Sequence, residues 1–190
     1  MRSPSSSPLI GTATLSIAEL SAARLDGELY PLAEMFCPVD LPPFPAVRAA
    51  GLAAGLPEYA FVERLSAAWL HGALAEPPRP AQFALPSGIG ARPRRPRAYT
   101  LRQVVITERE LVIIGGCPVT SPTRTLVDVL LDDELDSQRA IAVARAVACT
   151  AGLSPATALT SLRSRYRVPN TSLAEERIRR WLTITDANHH

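Results

Sequence analysis

Four arginines in the stretch GARPRRPRAYTLR, at positions 92, 94, 95 and 97, are interleaved with prolines, and Tyr99 and Arg102 follow closely. Proline cannot continue a helix, so these guanidiniums are expected to project from an exposed loop. A planar guanidinium fork fits two phosphate oxygens at once, and a neighbouring aromatic ring offers a stacking face for a base. Arg92, Arg94, Arg95, Arg97, Tyr99 and Arg102 are therefore the candidate nucleic-acid contacts, with a solvated loop and a surface for an acidic protein as the alternatives. A weaker second cluster runs through RSRYR at 163–167 and on to Arg177, Arg179 and Arg180.

Other side chains that could do chemistry do not assemble into a catalytic set. Arg124 and Asp128 stand four apart in SPTRTLVDVLL, a spacing that pairs them on one helix flank. No nucleophile, second acid or histidine accompanies them, so they read as a structural clamp. His71 closes a helix beside Gly72 and reads as a satisfied polar residue at a helix end. The acids of DVLLDDELD, 128–136, lack the glycine and the regular ligand positions of a calcium loop and read as a solvated turn. Without lysine there can be no phosphate-binding loop of the usual glycine-and-lysine kind. No metal site and no cofactor is expected.

The 190 residues, 47% of them hydrophobic, are enough to bury a core. All twenty basic residues are arginine, a bias that first reflects a GC-rich genome. The net charge of +2 is unevenly spread: residues 1–63 carry three arginines against seven acids, whereas residues 64–127 carry nine against three. Attraction for nucleic acid must come from the middle and the C-terminal third. The three cysteines, Cys37, Cys117 and Cys149, show neither a disulfide framework nor a metal-ligand spacing. With no apolar run of membrane-spanning length, a cytoplasmic protein without membrane contact is expected.

A helix is predicted over 16–27, opened by Ser16 with Glu19 three residues on and stopped by Asp26-Gly27. ELYPLAEMFCPVD suits an edge strand or hairpin, LPPFP a stiff linker and AVRAAGLAAG a helix. EYAFVERLSAAWLHGAL starts extended and becomes a helix whose small Ser66, Ala67 and Ala68 permit close packing, with Leu65, Trp69 and Leu70 turned to the core. Strands follow in RPAQFALPSG, RAYTLRQVVIT and, around Gly115-Gly116, LVIIGGCPVTS. Helices are predicted over 121–133, with Ser121 as cap and Pro122 at its first position, and over 136–151, 154–165 and 171–183. Strands first and helices last give an α+β fold with a small mixed or antiparallel sheet of about four strands and C-terminal helices.

RLSAAWLHGAL followed by GGCPVTSPTRTLVDVLL resembles two motifs of the AbiEi antitoxins of type IV toxin–antitoxin systems, predicted transcriptional regulators linked to phage defence. Ser66, Trp69 and Gly72 lie in the first motif, and Ser121, Arg124 and Asp128 in the second. The resemblance implies a winged-helix DNA-binding start, an antitoxin domain that neutralises a nucleotidyltransferase-like toxin, and no catalytic role for these six residues. Only one helix precedes the hairpin here, so the N-terminal part is expected to be a reduced winged helix. It carries Glu19, Asp26, Glu28 and Glu34 against Arg24 alone, which opposes phosphate contact. NTSLAEERIRRWL is similar to the first helix of a very-short-patch-repair-like endonuclease domain, expected here as a terminal helix without the nuclease.

The expected organisation is a flexible leader at 1–14, the winged-helix-like segment at 15–45, the antitoxin domain at 46–168 and a C-terminal helix and tail at 169–190. The expected function is that of an antitoxin and transcriptional regulator, not an enzyme, with promoter DNA and a cognate toxin as partners and an oligomeric state left open. The alternatives are a degenerate or partner-completed nuclease of the restriction-endonuclease type and a protein-interaction module without DNA binding. The nuclease would require two clustered carboxylates and a basic residue in one cleft.

Overall fold

The structure is a computed structural model that describes residues 8–89, 99–165 and 168–187. Helix α1 (Ile17–Leu25) opens with the reciprocal Ser16/Glu19 capping box that the sequence predicts. It is followed by an antiparallel hairpin of β1 (Leu29–Leu32) and β2 (Met35–Pro38). The expected leader is tied down before residue 15, because Leu9 is buried and Ile10 bridges to Phe36 of β2.

After α2 (Pro45–Ala53) come β3 (Phe61–Val62), α3 (Arg64–Leu70), β4 (Ala81–Pro86) and β5 (Tyr99–Val104). A 3-10 turn at Glu108–Glu110 leads into β6 (Leu111–Ile114) and β7 (Cys117–Thr120), then α4 (Pro122–Leu131), α5 (Ser137–Ala151), α6 (Pro155–Arg163) and α7 (Thr171–Ala187). The fold is α+β, with a two-stranded and a five-stranded sheet.

The larger sheet has the order β5-β4-β3-β7-β6 and is mixed. It holds one strand more than the four or so expected, because the two residues Phe61 and Val62 pair with β4 on one side and with β7 on the other. β4 and β5 run parallel from Ala81↔Tyr99 to Pro86↔Val104, so they are not the turn-linked neighbours that their closeness in sequence implies. β6 and β7 are joined through Gly115 and Gly116, both at positive φ (54° and 79°), the two-residue geometry that suits the twist of a hairpin. A Cβ on Gly115 would also come within 2.8 Å of the Ala46 carbonyl at the start of α2.

Two apolar clusters meet at α3. Val62, Phe83, Leu85, Val119, Ala67, Trp69 and Leu70 pack one face of the sheet against α2 and the hairpin. Leu65 and Ala68, from other sides of the same helix, join α4, α5, α6 and α7 in the second cluster. A helix buried on all sides needs small residues where its neighbours approach, and Ser66, Ala67 and Ala68 are fully buried. Arg48 of α2 braces this junction, with its guanidinium carbon 5.4 Å from the Trp69 ring centroid and donated bonds to the Trp69 and Leu74 carbonyls. Helix α4 lies beneath α3 and is buried from Arg124 to Leu130.

Candidate functional site

The charged residues at the strand-to-helix junctions form a largely buried network. β3 runs straight into α3, and the turn between them is Glu63-Arg64, with Arg64 at φ 45° in the left-handed region. Such a backbone costs a non-glycine residue on the order of 1–3 kcal/mol unless its surroundings hold it. Here both side chains are held. The Glu63 carboxylate is 1% exposed and accepts from Arg102 Nε on both oxygens, at 2.6 and 2.7 Å. Arg64 Nη1 lies 3.2 Å from Asp132 Oδ2 in the turn after α4. Because Glu63 is engaged with Arg102, it does not cap α3. Instead the Leu65 N–H donates to Gln82 Oε1, and the Gln82 N–H donates to Ser66 Oγ.

The network continues along α4. Arg102 Nη2 stands 3.8 Å from Asp128 Oδ2, and Arg124 Nε donates to the same oxygen at 2.8 Å. Arg124 Nη1 donates to the Val105 carbonyl and to Glu110 Oε1, which also takes Arg165 Nη2. Cations and carboxylates thus alternate from Arg64 to Arg165. Arg124 and Asp128 are 5% and 4% exposed, so the pair read from sequence as a flank clamp is a core ion pair. The acidic run is corrected likewise: Asp128 and Asp132 are buried, and only acids such as Asp133 and Glu134 form the solvated turn.

Burial pushes the Glu63 carboxyl above the usual range, and Arg102 only partly pulls it back. Burial also works against the Arg102 charge, but the hydrogen bonds and charge of Glu63 more than offset it. For Glu110 the cost of burial is outweighed by the Thr107 N–H and by Arg124 and Arg165, so its carboxyl titrates below the usual range. Glu110 therefore contributes stability that is present above the unfolded carboxyl pKa and lost as pH falls through its lowered value.

His71 caps the C-terminal end of α3 and bonds through Nε2 to the Thr120 carbonyl at 2.8 Å, which requires the Nε2–H tautomer. Burial holds its pKa below the ordinary value of 6.5, the bond to Thr120 opposing only in part. A lowered folded pKa means that stability is complete above 6.5 and lost as pH falls through the folded value. The urea midpoint of the protein is expected to drop through this window, and His71→Gln, which retains a donor, is expected to flatten the drop. An identical slope in the variant would assign the loss to other groups.

Each residue singled out in the sequence has a definite place where the structure describes it. Ser66 and Trp69 are core residues, Gly72 follows the α3 cap at φ 81°, and Ser121 Oγ accepts from the Arg124 N–H at 3.3 Å. Tyr99 lies half-buried on β5, its ring centroid 5.4 Å from that of Phe83. Arg102 is on β5 with its guanidinium committed to Glu63. Arg92, Arg94, Arg95 and Arg97 lie outside the described residues. In the second basic cluster, Arg177 is 1% exposed and donates to the carbonyls of Leu130, Asp132 and Leu135 at the end of α4. Sequence reasoning missed Glu63, Arg64 and Glu110, and it placed Arg177 in a basic surface cluster although the residue is buried. The one available signal was a Glu-Arg pair interrupting the apolar run between Phe61 and Leu70.

The two carboxylates and basic residue that a nuclease would need do occur together, as Glu63, Asp128 and Arg102. Both carboxylates are buried, and arginine takes both Glu63 oxygens and Oδ2 of Asp128. Among the described residues, no three histidines, cysteines or acids are grouped to hold a metal ion. No single described helix is long and apolar enough to cross a membrane.

No curated protein matches the chain. Among solved structures, that of the RV2827C protein from Mycobacterium tuberculosis is similar over 87% of this chain and 64% of its own, at 15% identity and a TM-score of 0.45. The sequence model of the AbiEi antitoxin C-terminal domain matches residues 59–140, a span that runs from the start of β3 into α5 and holds both sequence motifs together with Glu63, Arg102 and Glu110. Over residues 59–140 this chain is therefore similar to the AbiEi antitoxin C-terminal domain.

Proposed function

We propose that this protein is an antitoxin that acts by binding: it neutralises a nucleotidyltransferase-like toxin and represses its own promoter. The observation that carries the reading is the AbiEi domain at 59–140. The antitoxin family is not an enzyme family, and the engagement of the buried Glu63 and Asp128 carboxylates by Arg102 and Arg124 favours binding over hydrolysis.

Promoter contact is assigned to Arg92, Arg94, Arg95 and Arg97, with Tyr99 as a stacking neighbour. Charge supports that choice. On α1 and the hairpin, Glu19, Asp26, Glu28 and Glu34 are exposed beside the single exposed Arg24. Arg64, Arg102 and Arg124 are committed to carboxylates, which leaves the 92–97 cluster to carry much of the positive charge of the middle segment.

Gel-shift titration against the DNA upstream of the gene tests this. Binding is expected at low salt, to weaken steeply as salt rises, and to be lost when the four arginines are changed to alanine. Arg102→Ala is expected to lower stability instead. Full binding by the fourfold variant would end the assignment. Co-expression with a nucleotidyltransferase-like toxin, sought in the neighbouring genes, tests the other half, where restored growth is expected and unrelieved toxicity would refute neutralisation.

A further inference from the structure

The five-stranded sheet ends at β6, and the pattern of its pairing shows which backbone groups face outward. The two-residue turn at Gly115-Gly116 makes Ile114↔Cys117 a hydrogen-bonded pair, and alternation makes Val112↔Val119 the next one. Ile113 between them stands opposite Pro118, which has no N–H to give. The N–H and C=O of Ile113 therefore point away from β7, out of the open edge. Its side chain is 70% exposed.

Edge strands are normally guarded by charge, proline, a bulge or a covering element. Leu111–Ile114 reads LVII, with no charge and no proline, and its register with β7 is unbroken. On the face carrying Ile113, the sheet continues into a groove of about 360 Å³ lined by Leu56, Tyr59, Phe61, Pro86, Leu111 and Pro118. Tyr59 stands beside it, 67% exposed at φ 61°.

We infer that this edge pairs with β6 of a second copy of the chain, antiparallel about a two-fold axis at Ile113, to form one continuous sheet. This inference does not depend on the proposed function. A self-complementary interface requires that one patch meet itself, and Ile113 can do so: its outward N–H and C=O meet the same groups of the other copy as a reciprocal pair of hydrogen bonds. Both Ile113 side chains then fall on one face as cross-strand neighbours. Charge selects the antiparallel arrangement. It sets Glu110 of each copy beside the neutral Gly115-Gly116 turn of the other and carries Glu108 and Arg109 past the end of the other β6, whereas a parallel one would place Glu110 beside Glu110.

Sedimentation velocity across a concentration series tests the inference on the intact protein. A particle of two chains is expected at high concentration. Ile113→Lys places two ammonium groups opposite each other, and Ile113→Pro removes the outward N–H without touching a bond of the protein's own sheet; both are expected to give a single chain with an unchanged circular-dichroism spectrum. A single-chain wild type at the highest concentration, or a two-chain particle that survives both variants, would overturn the inference. Hydrogen exchange needs no variant: the Ile113 amide is expected to exchange several-fold more slowly in concentrated than in dilute protein, and equal rates would refute the pairing.

Discussion

Arg124→Ala is expected to destabilise the protein by about 3–5 kcal/mol, the usual cost of removing one partner from a buried ion pair. The loss is large against a total stability of about 5–15 kcal/mol for an ordinary domain. Asp128, 4% exposed, would keep only Arg102 at 3.8 Å, and the Val105 carbonyl would lose its donor. The expense lies in the orphaned charge more than in the lost attraction. In an Arg124→Leu background, Asp128→Asn is therefore expected to cost little, so the two changes together cost less than their sum by about 1–3 kcal/mol. Urea unfolding of the four proteins checks this. Strict additivity would show that the pair is not coupled, and an unchanged melting temperature with abolished binding would move Arg124 from the core to the interaction surface.

The second large effect is expected at Arg177→Met, which keeps the bulk of the side chain and removes its donors. The Leu130, Asp132 and Leu135 carbonyls at the end of α4 would all lose their partner, and Ser137 Oγ would lose its bond to Nε. An unsatisfied buried acceptor costs about 1–3 kcal/mol, so a loss of about 3 kcal/mol is expected for the group. Arg179 and Arg180 are exposed and pair with Glu176 within one helical turn, and their methionine variants are expected to leave stability almost unchanged. Thermal melts of the three variants separate the cases. Equal effects at all three positions would contradict the burial of Arg177.

These two sites also mark how far the sequence could be read. Helix starts were legible because capping is local: Ser16 and Ser121 both act as caps where their spacing predicts. The Arg124–Asp128 pair was legible for the same reason, four residues being one helical turn. Its burial was not, because the groups that close on it, Arg102, Val105 and Glu110, lie outside its helix on earlier parts of the chain. Arg177 was unreadable in principle from a local window. It sits in a run with Arg179 and Arg180, and what distinguishes it are carbonyls some forty residues earlier. The parallel pairing of β4 with β5 was hidden likewise, since alternation of residue types reveals a strand but not the direction of its neighbour. Glu63 broke the expected pattern because a buried acid is tolerated only with a partner, and that partner, Arg102, is on β5.

The two-residue strand β3 has a consequence for how the chain is made. Phe61 and Val62 are the sole described link between the β4–β5 pair and the β6–β7 hairpin, and their contact with β7 rests on Val62↔Val119. During synthesis β3 and β4 emerge well before β7, so one side of β3 stays open until Val119 has left the ribosome. Contacts between distant residues form late, and an apolar strand exposed in the interval invites proteases and chance association. The nascent five-stranded sheet is thus vulnerable until its two strand pairs join at the middle, and the completed chain closes that gap.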